Sequence, residues 1–164
     1  MSSRYNLRVW TRYLETQQDV WTAKTDPDRL ADEFRPWIPY SFPDSARSAL
    51  RRAFRDEGEP VHVELRIGPA GFRWPMSICL DEAGVVFHDT STNALFRDWR
   101  HEHRIHPATD GCLYVDEIQF TPALPRARMW AKLTERMMQH RHQRAATWLR
   151  AEQGCIGVAA LRAM

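Results

Sequence analysis

The chain has 164 residues, 43% of them hydrophobic, and a net charge of +2 from 23 basic and 21 acidic side chains. That length sustains one sizeable core, so a single domain over 1–164 is expected, with its core at about 5–150 and a tail at 152–164. Balanced charge argues against nucleic acid as a partner, because a binder concentrates basic residues on one face. The three cysteines, Cys79, Cys112 and Cys155, fit neither a disulfide framework nor a zinc pattern, which favours a reducing cytoplasm. The polar N-terminal stretch has no apolar signal core and no apolar run reaches membrane length, so a cytoplasmic protein without membrane insertion is expected.

In chain order, residues 4–14 alternate, with Tyr5, Leu7, Val9, Thr11 and Tyr13 on one side of a first strand. Thr16 can cap a short helix through Trp21 and Ala23, and Asp26-Pro27 can start a second that carries Leu30 and Phe34 inward. The segment 36–43 has three prolines and three aromatics, so it reads as a packed connector or the rim of a cavity. Asp44 can cap a helix over 45–56, whose Arg47, Arg51, Arg52 and Arg55 read as a solvated face. From Val61 the pattern becomes a meander. Gly68–Gly71 turns the chain so that 67 faces 72 and 63 faces 76, and Trp74, Met76 and Phe87 share the inner face. Asp89 falls on that face too, at a strand end where water, Thr90 or Ser91 would satisfy it.

The most informative stretch is 96–120. Period-two alternation puts Trp99, His101, His103 and Ile105 on one face, and Tyr114, Asp116, Ile118 and Phe120 on one face of the next run. The turn signals of 107–111 join them in a hairpin; a loop at 108–111 sets 105 opposite 114, 103 opposite 116, 101 opposite 118 and 99 opposite 120, while a two-residue loop at Asp110-Gly111 would shift the register but keep the same faces together. An imidazole pair then meets a carboxylate among apolar neighbours. A long helix is expected from about Arg126 to Glu152, with Met129, Trp130, Leu133, Met137 and Met138 on its apolar stripe and His140, Arg141, His142 and Arg144 interrupting it. The tail after Gly154 can cap this helix or meet a second copy of the chain, giving a homodimer.

This order of elements, together with Phe96-x-x-Trp99-x-His101-x-His103-x-Ile105 and Asp116-x-Ile118-x-Phe120, resembles the SRPBCC superfamily of START-related lipid-transfer domains, polyketide cyclases and pollen-allergen-type proteins. It looks most like a bacterial branch with a Trp-x-His-x-His strand, and His140-Arg141-His142 is similar to that branch's Arg-His element. The resemblance implies an α+β helix-grip fold: a curved antiparallel sheet of about six or seven strands around a long C-terminal helix, with two short helices after the first strand. It also implies a cavity for apolar or amphipathic molecules, with no cofactor, and it fixes no activity.

Three functions fit these residues. In the first, a carrier or sensor holds a small hydrophobic molecule with Trp74, Met76, Phe87, Trp99, His101, His103, Asp116, Ile118, Trp130, Leu133 and Met137. In the second, a cyclase or dehydratase uses His103 as general base, Asp116 to orient it and His101 to polarise a carbonyl. In the third, the two histidines bind a metal together with Asp116 or Glu117; zinc generally needs three protein ligands, and alternation sends Glu117 to the opposite face. A plainer alternative is a satisfied polar core element, since leaving a buried partner unpaired costs about 1–3 kcal/mol.

Overall fold

Alternating apolar side chains build an open, curved antiparallel sheet in the computed structural model, which describes residues 3–36, 40–55, 59–68 and 71–163, without the side chains of 40–41, 153–155 and 159–163. The elements are β1 (Tyr5–Tyr13), α1 (Gln17–Lys24), α2 (Pro27–Glu33), β2 (Tyr40–Ser41), α3 (Asp44–Ala53), β3 (Val61–Ile67), β4 (Phe72–Glu82), β5 (Val86–Ser91), β6 (Phe96–Ala108), β7 (Gly111–Pro122), α4 (Ala127–Ala145) and β8 (Ala151–Ala163). The strands lie in the order β2-β3-β4-β5-β6-β7-β1-β8. Helix α4 packs on the β7-β1-β8 side and against α2, while α3 packs on β3 and β4. No helix among the described residues is long and apolar enough to cross a membrane.

The local signals explain most of these elements. Thr16 Oγ1 accepts the Asp19 N–H at 3.2 Å, and Asp26 Oδ1 accepts those of Asp28 and Arg29 at 2.8 and 3.0 Å, so α1 and α2 start where side-chain caps are available. Helix α3 differs from expectation. Its N-cap is Pro43, which makes no side-chain cap bond, and Asp44 sits in the first turn, where its charge favours the helix dipole. Arg51, Arg52 and Arg55 are exposed, as a solvated face should be, and Arg47 pairs with Asp28. Residues 37–39 of the aromatic-proline segment, 56 of the expected third helix and 69–70 of the first meander turn lie outside the described residues.

The meander has the expected register: Ile67 faces Phe72 and Val63 faces Met76. In the β6–β7 hairpin, Ile105 faces Tyr114, His103 faces Asp116, His101 faces Ile118 and Trp99 faces Phe120. The ladder continues to Ala108 and Gly111, leaving Thr109 and Asp110 as the loop. Gly111 has φ 122°, and a Cβ there would lie 2.0 Å from the Tyr13 carbonyl oxygen, so the turn requires glycine.

The end of the chain corrects the sequence reading. The last helix stops at Ala145, and residues 151–163 form β8, antiparallel to β1, with Trp10 facing Gly157 and Tyr13 facing Ala151. The tail is therefore an edge strand of the sheet and not a helix cap. No proline or glycine breaks the 126–152 stretch, so periodicity alone carries the helix too far. What ends it is tertiary: the Leu14 N–H donates to the Arg150 carbonyl at 2.8 Å, and Glu15 Oε1 accepts the Arg150 N–H at 2.8 Å. The open edge of β1 then satisfies the backbone that follows. Gly157 fits there because a Cβ would come within 2.0 Å of the Trp10 ring.

Candidate functional site

Strands β5, β6 and β7 lie side by side, and each contributes inward-facing polar groups at the same level. Asp89 of β5 is directly opposite His101 of β6, and His103 of β6 is directly opposite Asp116 of β7. Asp89, His101, His103 and Asp116 are all buried. Asp89 Oδ2 lies 3.3 Å from His101 Nδ1 and 3.2 Å from His103 Nε2. On the other side, Asp116 Oδ1 is 3.2 Å from His101 Nε2 and 2.8 Å from His103 Nδ1. The two imidazoles, with ring centroids 3.8 Å apart, are thus held between two carboxylates. The contacts to Asp116 Oδ1 have ion-pair distances but not hydrogen-bond alignment: His101 Nε2 and Asp116 Oδ1 have no aligned partner among the described residues. Tyr114 Oη lies 2.7 Å from His103 Nδ1, and Phe87 stacks on the His103 ring with centroids 4.0 Å apart.

Around this centre lies a buried network that the sequence reading did not assemble. His142 of α4 donates from Nε2 to Asp116 Oδ2 at 3.1 Å, and its Nδ1 accepts the Thr11 hydroxyl at 2.7 Å. Arg141 places Nη1 3.7 Å from Asp116 Oδ2 and donates from Nε to Glu33 Oε2 at 2.9 Å. Glu33 also accepts from Lys24 Nζ at 2.6 Å, and that ammonium stands 4.4 Å from the Tyr114 ring centroid. Three carboxylates thus face one guanidinium, one ammonium and three imidazoles.

The charges are tuned accordingly. For Asp89 and Asp116 burial alone would raise the carboxyl pKa, but the facing imidazoles lower it below the ordinary range. For His101 burial is the largest influence and lowers the pKa, yet the two carboxylates together raise it. His142 is lowered, chiefly by burial, which favours a neutral ring. Tyr114 is raised by burial and by Asp116, so its phenol keeps its proton.

The polar cluster borders a hollow of about 70 Å³ lined by Leu50, Phe54, Leu65, Ile78, Phe87 and Met138, with Asp89, His101, His103 and Arg141 forming its polar wall. Of the residues expected to contact a ligand, Trp74, Met76, Phe87, Trp99, His101, His103 and Met137 line this hollow. Asp116 and Ile118 do not. They are fully buried behind it, because β7 is covered by α4. Trp130 and Leu133 instead line an outer pocket of about 620 Å³ between α4 and Ile67, Phe72, Trp74 and Phe96 of the sheet. Phe34, Trp74 and Met137 border both spaces. Phe42 of the aromatic-proline segment lines the inner hollow, in keeping with the rim reading at that residue.

Asp89 also departs from expectation. It is not solvated at a strand end: Trp99 Nε1 donates to Oδ1 at 2.9 Å, and both histidines face Oδ2. Alternation did place it on the inner face, but its partners follow only from the lateral pairing of β5 with β6. Arg141 and His142 were visible as interruptions of a helical stripe. Lys24, Glu33 and Thr11 carried no signal separating them from ordinary helix-end or strand residues.

Solved structures share this architecture. A Chromobacterium violaceum protein aligns with a TM-score of 0.64 at 14% identity, covering 90% of this chain and 99% of its own. A START superfamily protein from Mycobacterium smegmatis gives 0.61 at 11% identity, covering 90% and 97%. The di-domain ARO/CYC StfQ of the steffimycin biosynthetic pathway gives 0.65 at 8% identity, covering 90% of this chain and 52% of StfQ. These likenesses show a shared fold, a curved antiparallel sheet with a long C-terminal helix. No curated protein matches it in sequence. A family model described as "Domain of unknown function (DUF8410)" matches residues 13–149.

Proposed function

The chain belongs to the DUF8410 family, and we propose that it binds a small amphipathic molecule in the space between the sheet and α4. One observation carries this reading: an apolar hollow of Leu, Ile, Phe, Trp and Met side chains has a polar wall made of Asp89, His101, His103 and Arg141. Pockets of this kind fix a ligand's orientation through a few polar groups while apolar contacts supply most of the affinity. The inner hollow of about 70 Å³ admits only a compact polar head. The apolar remainder of the ligand lies in the outer pocket of about 620 Å³, reached past Phe34, Trp74 and Met137. Methionine suits such a passage, because its unbranched side chain adapts to irregular occupants.

A catalytic reading has one observation in its favour. His103 lines the hollow while its Nδ1 lies 2.8 Å from Asp116 Oδ1 and 2.7 Å from Tyr114 Oη, an imidazole with an acid close behind it. A lyase or cyclase step would then use His103 and His101, with Asp116 as a positioning residue. Native mass spectrometry of the protein purified from its own host tests the binding reading. The expected spectrum contains a low-mass species that leaves on denaturation. A bare-chain mass, together with no uptake of an environment-sensitive apolar dye, would count against it. Conversion of the co-purified species on incubation, lost in His103→Gln, would favour the catalytic reading instead.

A further inference from the structure

We propose that Asp89, His101 and His103 form a binding site for a divalent transition-metal ion such as zinc, with its open position facing the inner hollow. This does not depend on an organic ligand occupying that hollow. The three potential ligand atoms, Asp89 Oδ2, His101 Nδ1 and His103 Nε2, all lie within 4.8 Å of one another. Two of the separations are 3.3 and 3.2 Å. With metal–ligand bonds of about 2.0–2.1 Å, neighbouring corners of a tetrahedron lie roughly 3.3–3.4 Å apart, so the carboxylate already stands at the spacing a shared ion requires from each imidazole. The third corner-to-corner distance, His101 to His103, closes by rotation of two rings on the same strand face.

The groups behind these ligands strengthen the assignment. A metal-bound histidine normally donates its other ring N–H to a carboxylate, which fixes the tautomer and the ring plane. Here both outward nitrogens, His101 Nε2 and His103 Nδ1, lie 3.2 and 2.8 Å from the same oxygen, Asp116 Oδ1, without hydrogen-bond alignment, and His103 Nδ1 also meets Tyr114 Oη at 2.7 Å. Asp116 is itself held by His142 at 3.1 Å, and the Arg141 guanidinium is 3.7 Å away. Asp89 is oriented by Trp99 through its other oxygen. Each ligand therefore has a polar group behind it: the Asp116 carboxylate behind both imidazoles, Tyr114 beside His103 and Trp99 on Asp89. Two imidazoles and one carboxylate suit zinc, iron(II) or cobalt(II) and do not suit magnesium or calcium, which prefer all-oxygen shells. Three protein ligands beside a hollow leave a fourth position for water or a ligand oxygen, as catalytic sites do.

A second cluster, Cys79, Asp81 and His88, brings potential ligand atoms together on the other side of the sheet and serves as the internal control. Chelator-treated protein is titrated with Zn(II) and with Co(II). The expected result is one ion per chain, a visible cobalt band of four-coordinate intensity and a higher melting temperature with zinc. Asp116→Asn, which removes the supporting carboxylate, should weaken zinc binding about 10- to 100-fold, and Asp89→Asn should weaken it further. His88→Ala should leave the first equivalent unchanged. X-ray absorption of the wild-type zinc complex should show nitrogen and oxygen neighbours without sulfur, a result that stands even where a variant folds poorly. Absence of stoichiometric binding, loss of it in His88→Ala, or sulfur scattering from Cys79 would overturn the assignment.

Discussion

Glu33→Gln tests whether the buried charges are held as a network or merely crowded together. Glu33 ends α2, Lys24 ends α1 and Arg141 lies in α4, so this carboxylate joins three helices through contacts of 2.6, 2.9 and 2.8 Å. The Lys24 and Glu33 side chains are fully buried, and Arg141 is nearly so. The amide keeps the size of the side chain but removes its charge, leaving an ammonium and a guanidinium without this counter-ion. Breaking a buried pair by removing one partner costs about 3–5 kcal/mol. For 164 residues one kcal/mol corresponds to about 3 °C in melting temperature, so a fall of about 9–15 °C is expected by circular dichroism at neutral pH. Adding Lys24→Met should restore part of the loss, because the unpaired ammonium is then gone. The pH dependence has a definite sign. Burial would raise the Glu33 carboxyl pKa, but Lys24 and Arg141 together lower it below its ordinary value. Its stabilisation is complete above the ordinary carboxylate range and disappears as the pH falls through the lowered folded value, so wild type and variant should converge in acid. A melting-temperature change under about 3 °C at neutral pH, or a gap that widens on acidification, would refute the network.

Trp99→Phe keeps most of the ring but removes the N–H that meets Asp89 Oδ1 at 2.9 Å; a loss of about 1–3 kcal/mol is expected in urea titration. Gly111→Ala forces a side chain into φ 122° and against the Tyr13 carbonyl, so the soluble folded yield should fall sharply while Gly84→Ala, whose Cβ position is open, is milder. Met137→Trp should obstruct the passage between the two spaces and weaken uptake of an apolar dye at least tenfold with little change in melting temperature, read by fluorescence titration.

The hairpin geometry was legible because period-two alternation fixes faces and a loop taken at 108–111 sets 107 opposite 112, a register that the tighter Thr109-Asp110 loop keeps. His103 opposite Asp116 follows from those two facts alone. The same reasoning put Asp89 on the correct face and then misjudged its surroundings, because which strand lies beside β5 depends on the Asn93 turn. There the Asn93 side chain accepts the N–H groups of Leu95 and Phe96 at 2.8 and 3.1 Å. The Lys24–Glu33–Arg141 chain was illegible for a different reason. Each residue sits in a helix where a charge is ordinarily solvated, and only the packing of three helices turns them inward. The end of α4 was missed because the β1 edge, not a local breaker, stops it. For the cavity, the sequence indicated an apolar stripe on α4 but not the rotation that puts Met137 and Met138 on the hollow while Leu133 faces outward.

The pairing of β8 with β1 has a kinetic consequence. Tyr5 is matched on one side with Phe120 and on the other with Ala163. Strand β1 therefore has no neighbour on either flank until about a hundred further residues have followed it, and its second flank stays bare until 151–163 are made. Closing such long loops before any contact rewards them slows folding. Until then β1 is an uncovered apolar ribbon, the kind of segment to which a holding chaperone attaches.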